Sequence, residues 1–176
     1  MVYYMKTNIA PMQASSSGKE KLKLAGIILF ISMAATLMGT LDGFDGLEWI
    51  RWFMGGFMVV FGGLKLIGIE VFIKIAPIYD LIAKMFKPYK YFYPLVQVFL
   101  GMMFIIGLFQ TFTATVSLIF GLSSLIGMIK ILSTRGQIRL SYLGNIIGLR
   151  FSTVSIIENT IIVVLSAISL VTSIAL

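Results

Sequence analysis

WIRWFMGGFMVVFGGLKLIGI, residues 49–69, decides the fold. This run contains two charges, Arg51 and Lys65, one near each end, and everything between them is apolar, aromatic or glycine. A helix rising 1.5 Å per residue needs about 20 such residues to cross a hydrocarbon core roughly 30 Å thick. Four more segments have a similar character, at 24–41, 92–109, 112–130 and 156–176. The expected fold is all-α: a polytopic transmembrane bundle of about five helices.

Composition points the same way. Of 176 residues, 59% are apolar and 12% charged, with a mean hydropathy of +1.00. These values belong to lipid rather than to a soluble domain. The net charge of +7 would suggest nucleic acid in a soluble protein, but here the Lys and Arg residues gather between the apolar segments, so no nucleic-acid partner is expected. The chain has no Cys and no His, which removes disulfide exchange, thiolate ligation and imidazole acid–base chemistry. Residues 1–23 form a polar tail before the first apolar segment, and no small-residue cleavage site follows, so that segment reads as a retained anchor. Residues 24–176 read as one membrane domain without an internal repeat.

Loop charges orient this domain. The N-terminal tail carries +3, the loop with Asp42, Asp45, Glu48 and Arg51 carries −2, and the stretches 65–91 and 130–158 carry +3 each. Basic first, third and fifth stretches place the N-terminus in the cytoplasm and the C-terminus outside, in a plasma membrane. The short FQTF at 109–112 leaves room only for a tight turn between the third and fourth spans, so those spans should be neighbours. Residues 69–94 are too polar to span. Pro77 suits a helix's first turn and Pro88 its end, which predicts a short interfacial helix near 77–87. Tyr79, Tyr89, Tyr91 and Tyr93 would sit at headgroup depth while Lys84, Lys87 and Lys90 reach lipid phosphates.

Residues 51–101, with Tyr79-Asp80-x-x-Ala83-Lys84 followed by Tyr93-Pro94, together with YLGNIIGLRFSTVSIIEN at 142–159, resemble the MauE/DoxX family of small integral membrane proteins. The resemblance implies a redox-associated maturation role. Several members carry Cys-x-Cys just before the Leu-Gly; in this chain the Leu-Gly is Leu143-Gly144, and Leu140 and Tyr142 stand at the cysteine positions. A carboxylate common after the family's Tyr-Pro stands here as Gln97. The frame is kept without its reactive sulfur.

Several residues remain as candidates for chemistry. Asp80 and Lys84, four apart, fall on one helical face and suit an ion pair. Glu158 and Asn159 are expected to open the last helix, where the carboxylate complements the helix dipole and meets Arg139 or Arg150; the alternative is a buried proton or cation site. Lys65 and Arg51 read as anchors at opposite membrane surfaces, Lys65 by snorkelling. Met54 and Met58 share a face, and Met102 and Met103 lie on the next span, a thioether set that would suit Cu(I) or simply fill gaps. Gly55, Gly56, Gly62, Gly63, Gly121 and Gly127 let backbones approach, within the chain or against a second subunit. P-loop, catalytic-triad and metal-ligand patterns are absent.

These features lead to a non-catalytic accessory subunit or assembly factor of a redox or metal-containing membrane complex. Its partners would be lipids and other integral membrane subunits, and it would need no cofactor. The alternative is a direct redox or transport role through bound quinone, ion passage or copper.

Overall fold

The computed structural model describes residues 18–40, 45–86, 88–135 and 151–175. Among them the regular elements are helices: α1 (Gly18–Gly39), α2 (Gly46–Ile67), α3 (Ile69–Tyr79), α4 (Leu81–Met85), α5 (Tyr89–Ile106), α6 (Gln110–Arg135) and α7 (Phe151–Ala175). Five of these, α1, α2, α5, α6 and α7, are long and apolar enough to cross a membrane. The chain is an all-α, multi-pass membrane bundle.

Local chemistry sets the boundaries. Asp45 accepts a hydrogen bond from the Leu47 amide at 2.9 Å and so caps α2. Gly68 separates α2 from α3, its amide donating to the Leu64 carbonyl. Asp80 is the C-cap of α3 and the N-cap of α4, where its Oδ1 accepts from the Ala83 amide at 2.8 Å. Gly107, with φ +80, closes α5 in the left-handed conformation that an L side chain resists, and the chain turns at once into α6.

Packing follows the small residues. The spans form two intimate pairs, α2 with α5 and α6 with α7. A methyl group built at Gly55 would stand 2.8 Å from the Gly101 carbonyl, and one at Gly62 would stand 3.1 Å from the Pro94 carbonyl. Backbone therefore lies on backbone along α2 and α5. On the other pair, Gly121 packs against Ile162 and Val163, and Gly127 receives the Tyr79 carbonyl oxygen directly. Trp49, Phe53, Phe57 and Phe61 stack at four-residue intervals along α2 with ring centroids 4.5 to 5.7 Å apart. Among the described residues, helix α1 packs on α2 alone. The broken pair α3–α4 folds against α2, α5 and α6 at one end of the bundle.

The elements depart from the sequence reading in several places, α6 among them, which runs on to Arg135. Helix α1 begins at Gly18, so the end of the polar tail is helical. The single interfacial helix near 77–87 is replaced by α3 and α4, broken at Asp80; Pro77 is the ninth residue of α3, not part of a first turn, and Pro88 precedes α5 as its N-cap. The reason is burial: Phe72, Ile75, Ala76 and Tyr79 give α3 a core-facing stripe that begins well before Pro77. Helix α7 starts at Phe151, five residues earlier than expected. The third and fourth spans, α5 and α6, are neighbours as their short connection requires, and α5 packs more extensively on α2, where the glycines meet.

Candidate functional site

Helix α7 turns one polar face inward. Ser155, Glu158, Asn159 and Ser166 recur at three-, four- and seven-residue intervals and are all buried, so a single helical stripe carries them into the bundle. Opposite Glu158 stands Lys65, in the last turn of α2, and beside both stands Gln97 of α5. Lys65 Nζ donates to Glu158 Oε1 at 2.5 Å and to Gln97 Oε1 at 2.7 Å, while Gln97 Nε2 donates to the same Glu158 oxygen at 2.7 Å. The ammonium also lies 4.9 Å from the Tyr93 ring and 5.7 Å from the Phe72 ring, where the aromatic faces complement its charge.

This arrangement is sealed. Lys65 is 1% exposed and Glu158 and Gln97 are 0% exposed. A charge in a membrane interior is costly unless paired, and such residues face the bundle interior when they occur. Here three spans each contribute one member of a mutually satisfied triad, so the pairing joins α2, α5 and α7.

A second polar branch adjoins it. Asp80 is 1% exposed; its Oδ2 accepts from the hydroxyls of Ser123, at 3.3 Å, and Ser124, in a very short contact. The Ser124 hydroxyl lies 3.1 Å from the Tyr93 hydroxyl, and Tyr93 and Gln97 are one turn apart on α5. Tyr79 is buried next to Asp80, with Ser155 at its hydroxyl. Burial, reinforced by the neighbouring Asp80 and Glu158 carboxylates, raises the Tyr79 phenol well above the usual tyrosine range, so it stays neutral. The interior thus gathers two carboxyl groups, Glu158 and Asp80, around one amine.

Several sequence expectations are redrawn by this geometry. Lys65 does not snorkel; it points inward because α3 and α5 cover the end of α2. Glu158 and Asn159 lie in the third turn of α7 instead of opening it, since that helix starts at Phe151. Arg139 and Arg150 lie outside the described residues, as does Lys87. Asp80 turns into the core toward serines while Lys84 is exposed, so this pair does not form. Tyr79 and Tyr93 are core residues, not headgroup anchors; Tyr89 and Lys90 are partly buried and Tyr91 is exposed. Arg51 stays at the opposite end, where it pairs with Glu48 at 2.5 Å and reaches the Ile105 carbonyl at 3.3 Å. Met54 and Met58 are fully buried, whereas Met102 is 51% exposed on the outside of α5, so the four methionines do not converge. Gly56 touches Ile31 of α1, and the space above Gly63 is open.

Sequence reasoning passed over Gly101 and the inward hydroxyls of Thr113, Ser117, Ser123, Ser124, Ser155 and Ser166. The signal was present as a four-residue repeat, Thr113, Ser117, Gly121, on a span that is otherwise apolar. Among the described residues, no group of three or more His, Cys, Asp or Glu side chains comes together as a metal site would require. No family model, no curated protein and no solved structure matches this chain.

Proposed function

We propose that this chain is a non-catalytic integral membrane component, an accessory subunit or assembly factor of a larger redox-associated membrane complex. The observation that carries this reading is the closed Lys65–Gln97–Glu158 triad, whose polar groups are spent on one another and on tying α2, α5 and α7 together. A substrate-binding centre would keep such groups open toward a cleft. With no Cys or His in the chain, the redox association drawn from the MauE/DoxX resemblance rests on partners. The bundle offers them apolar outer faces, with Leu29, Phe30, Met33 and Leu37 exposed along α1.

Purification of the full chain from its native membranes in mild detergent or nanodiscs tests this. The expected result is a stoichiometric assembly with other membrane subunits, identified by mass spectrometry. An isolated chain carrying quinone or copper would overturn the accessory reading.

The proposed orientation has the N-terminus in the cytoplasm and the C-terminus outside, in a plasma membrane. It is supported by Lys74, Lys84, Lys90 and Lys130, which lie toward one end of the bundle, while Asp45 and Glu48 lie at the other. Reporter fusions within the 41–45 loop should score as external; a cytoplasmic score would invert the assignment.

A further inference from the structure

A polar cavity of about 250 Å³ opens at the end of the bundle away from the triad, where α2 and α6 begin and α7 ends. Asp45, Glu48, Arg51, Gln110, Ser169 and Ser173 line it. The ends of membrane spans lie at the depth of lipid headgroups, between hydrocarbon and water. The cavity wall carries charges of both signs, two carboxylates and one guanidinium.

The guanidinium is held from several sides. Arg51 Nη2 donates to Glu48 Oε2 at 2.5 Å and Nη1 donates to the Ile105 carbonyl at 3.3 Å, while the group lies 5.3 Å from the Trp52 ring. A methyl group built at Gly107 would stand 2.5 Å from Arg51 Nη1 and 3.6 Å from Gln110 Nε2, so these two donors converge over that glycine. The two bonds engage one hydrogen on each Nη, and a guanidinium carries two on each. The carboxylates are also half used. Asp45 Oδ1 accepts from the Leu47 amide and Glu48 Oε2 from Arg51, which leaves Asp45 Oδ2 and Glu48 Oε1 as open acceptors. The Gln110 amide and the Ser169 hydroxyl likewise have no hydrogen-bond partner among the described residues.

Charge decides what fits. A lone cation would face Arg51, and a lone anion would face Asp45 and Glu48. A ligand with an ammonium and an oxyanion a few bonds apart meets both. Apolar surface adjoins these groups: Leu47 of the cavity wall is exposed, and so are Leu108, Phe109 and Phe112, close to Gln110 in the chain.

We infer that the cavity is a headgroup site for a zwitterionic phospholipid with a primary amine, of the phosphatidylethanolamine class. Asp45, Glu48 and the α7 hydroxyls accept from its ammonium, Arg51 and Gln110 donate to its phosphate, and its acyl chains lie on the adjoining apolar surface. A choline headgroup lacks the N–H donors that the carboxylates require, and a glycerol headgroup lacks the positive charge. The inference does not depend on the accessory-subunit reading.

The test is native mass spectrometry of the full chain released from nanodiscs made of equal parts palmitoyl-oleoyl phosphatidylethanolamine, phosphatidylcholine and phosphatidylglycerol. Phosphatidylethanolamine should be retained with about tenfold enrichment over either competitor. Asp45→Asn combined with Glu48→Gln keeps a capping side chain on α2 but removes both negative charges, so the preferred lipid should change to phosphatidylglycerol. Mere destabilisation would not produce that reversal. Free phosphoethanolamine at the same concentration as the lipid should not displace it; displacement would mark a site for a soluble zwitterion and overturn the lipid assignment. Equal retention of the three lipids by the wild type would overturn the site, as would an unchanged preference in the double variant.

Discussion

Glu158→Gln and Lys65→Met, made singly, are expected to cost about 3–5 kcal/mol each, because either one strands a charge or a pairing group in the membrane interior. Against a typical total stability of about 5–15 kcal/mol, such a loss should appear as low membrane levels and a strongly lowered Tm in detergent. The triple replacement Lys65→Met, Gln97→Leu, Glu158→Leu removes every partner at once and fills similar volumes with apolar groups. Buried ion pairs replaced in this way are often neutral or stabilised, so the triple variant should recover most of the lost Tm. The comparison separates the need for a partner from the need for charge. Recovery of stability would show that the ion pair itself is not what holds the three spans together. Failure of the triple variant to recover would show that the triad is needed to hold the three spans in place, beyond what apolar packing supplies.

The second large effect is expected at Gly127. Its hydrogen occupies the place where a Cβ would collide with the Tyr79 carbonyl oxygen, and the neighbour is backbone, which cannot rotate away. Gly127→Ala should therefore push the end of α3 off α6, draw Asp80 away from Ser123 and Ser124, and lower stability by about 1–3 kcal/mol or more, as overpacking does. Gly63→Ala, with open space around it, should be neutral or slightly stabilising through helix propensity. Thermal unfolding of the two variants side by side checks this. Equal Tm values would mean that the α3–α6 contact is not as close as described.

The two predictions bear on different layers of the same site. Gly127 sets the seat for the α3–α4 break, and the break brings Asp80 beside Ser124 and Tyr93; the triad then stands one turn further along α5, at Gln97. A change in the seat should therefore reach the charged groups without touching them. Crosslinking between cysteines introduced at positions 80 and 124 would report that displacement directly, falling in Gly127→Ala relative to the same pair in the parent.

The sequence by itself determined that this chain is a helical membrane bundle, since each span declares itself by 18 to 22 residues of nearly uninterrupted apolar character and the solvent then permits little else. It also pointed to the glycines of α2 and α6 as places of close approach, which holds at Gly55, Gly62, Gly121 and Gly127 but not at Gly63, and the structure adds Gly101 as the partner that makes the α2–α5 contact mutual. What it left open was which way Lys65, Asp80, Tyr79, Tyr93 and Glu158 point. Taken one at a time, a lysine near a span's end snorkels and a glutamate near a helix start caps, because local rules carry no knowledge of what covers them. Only the tertiary structure decided otherwise. Residues 69–85 fold back as α3 and α4 over the end of α2, and α7 begins early enough to place Glu158 opposite Lys65, so that groups separated by 32 to 93 residues in the chain become partners away from water.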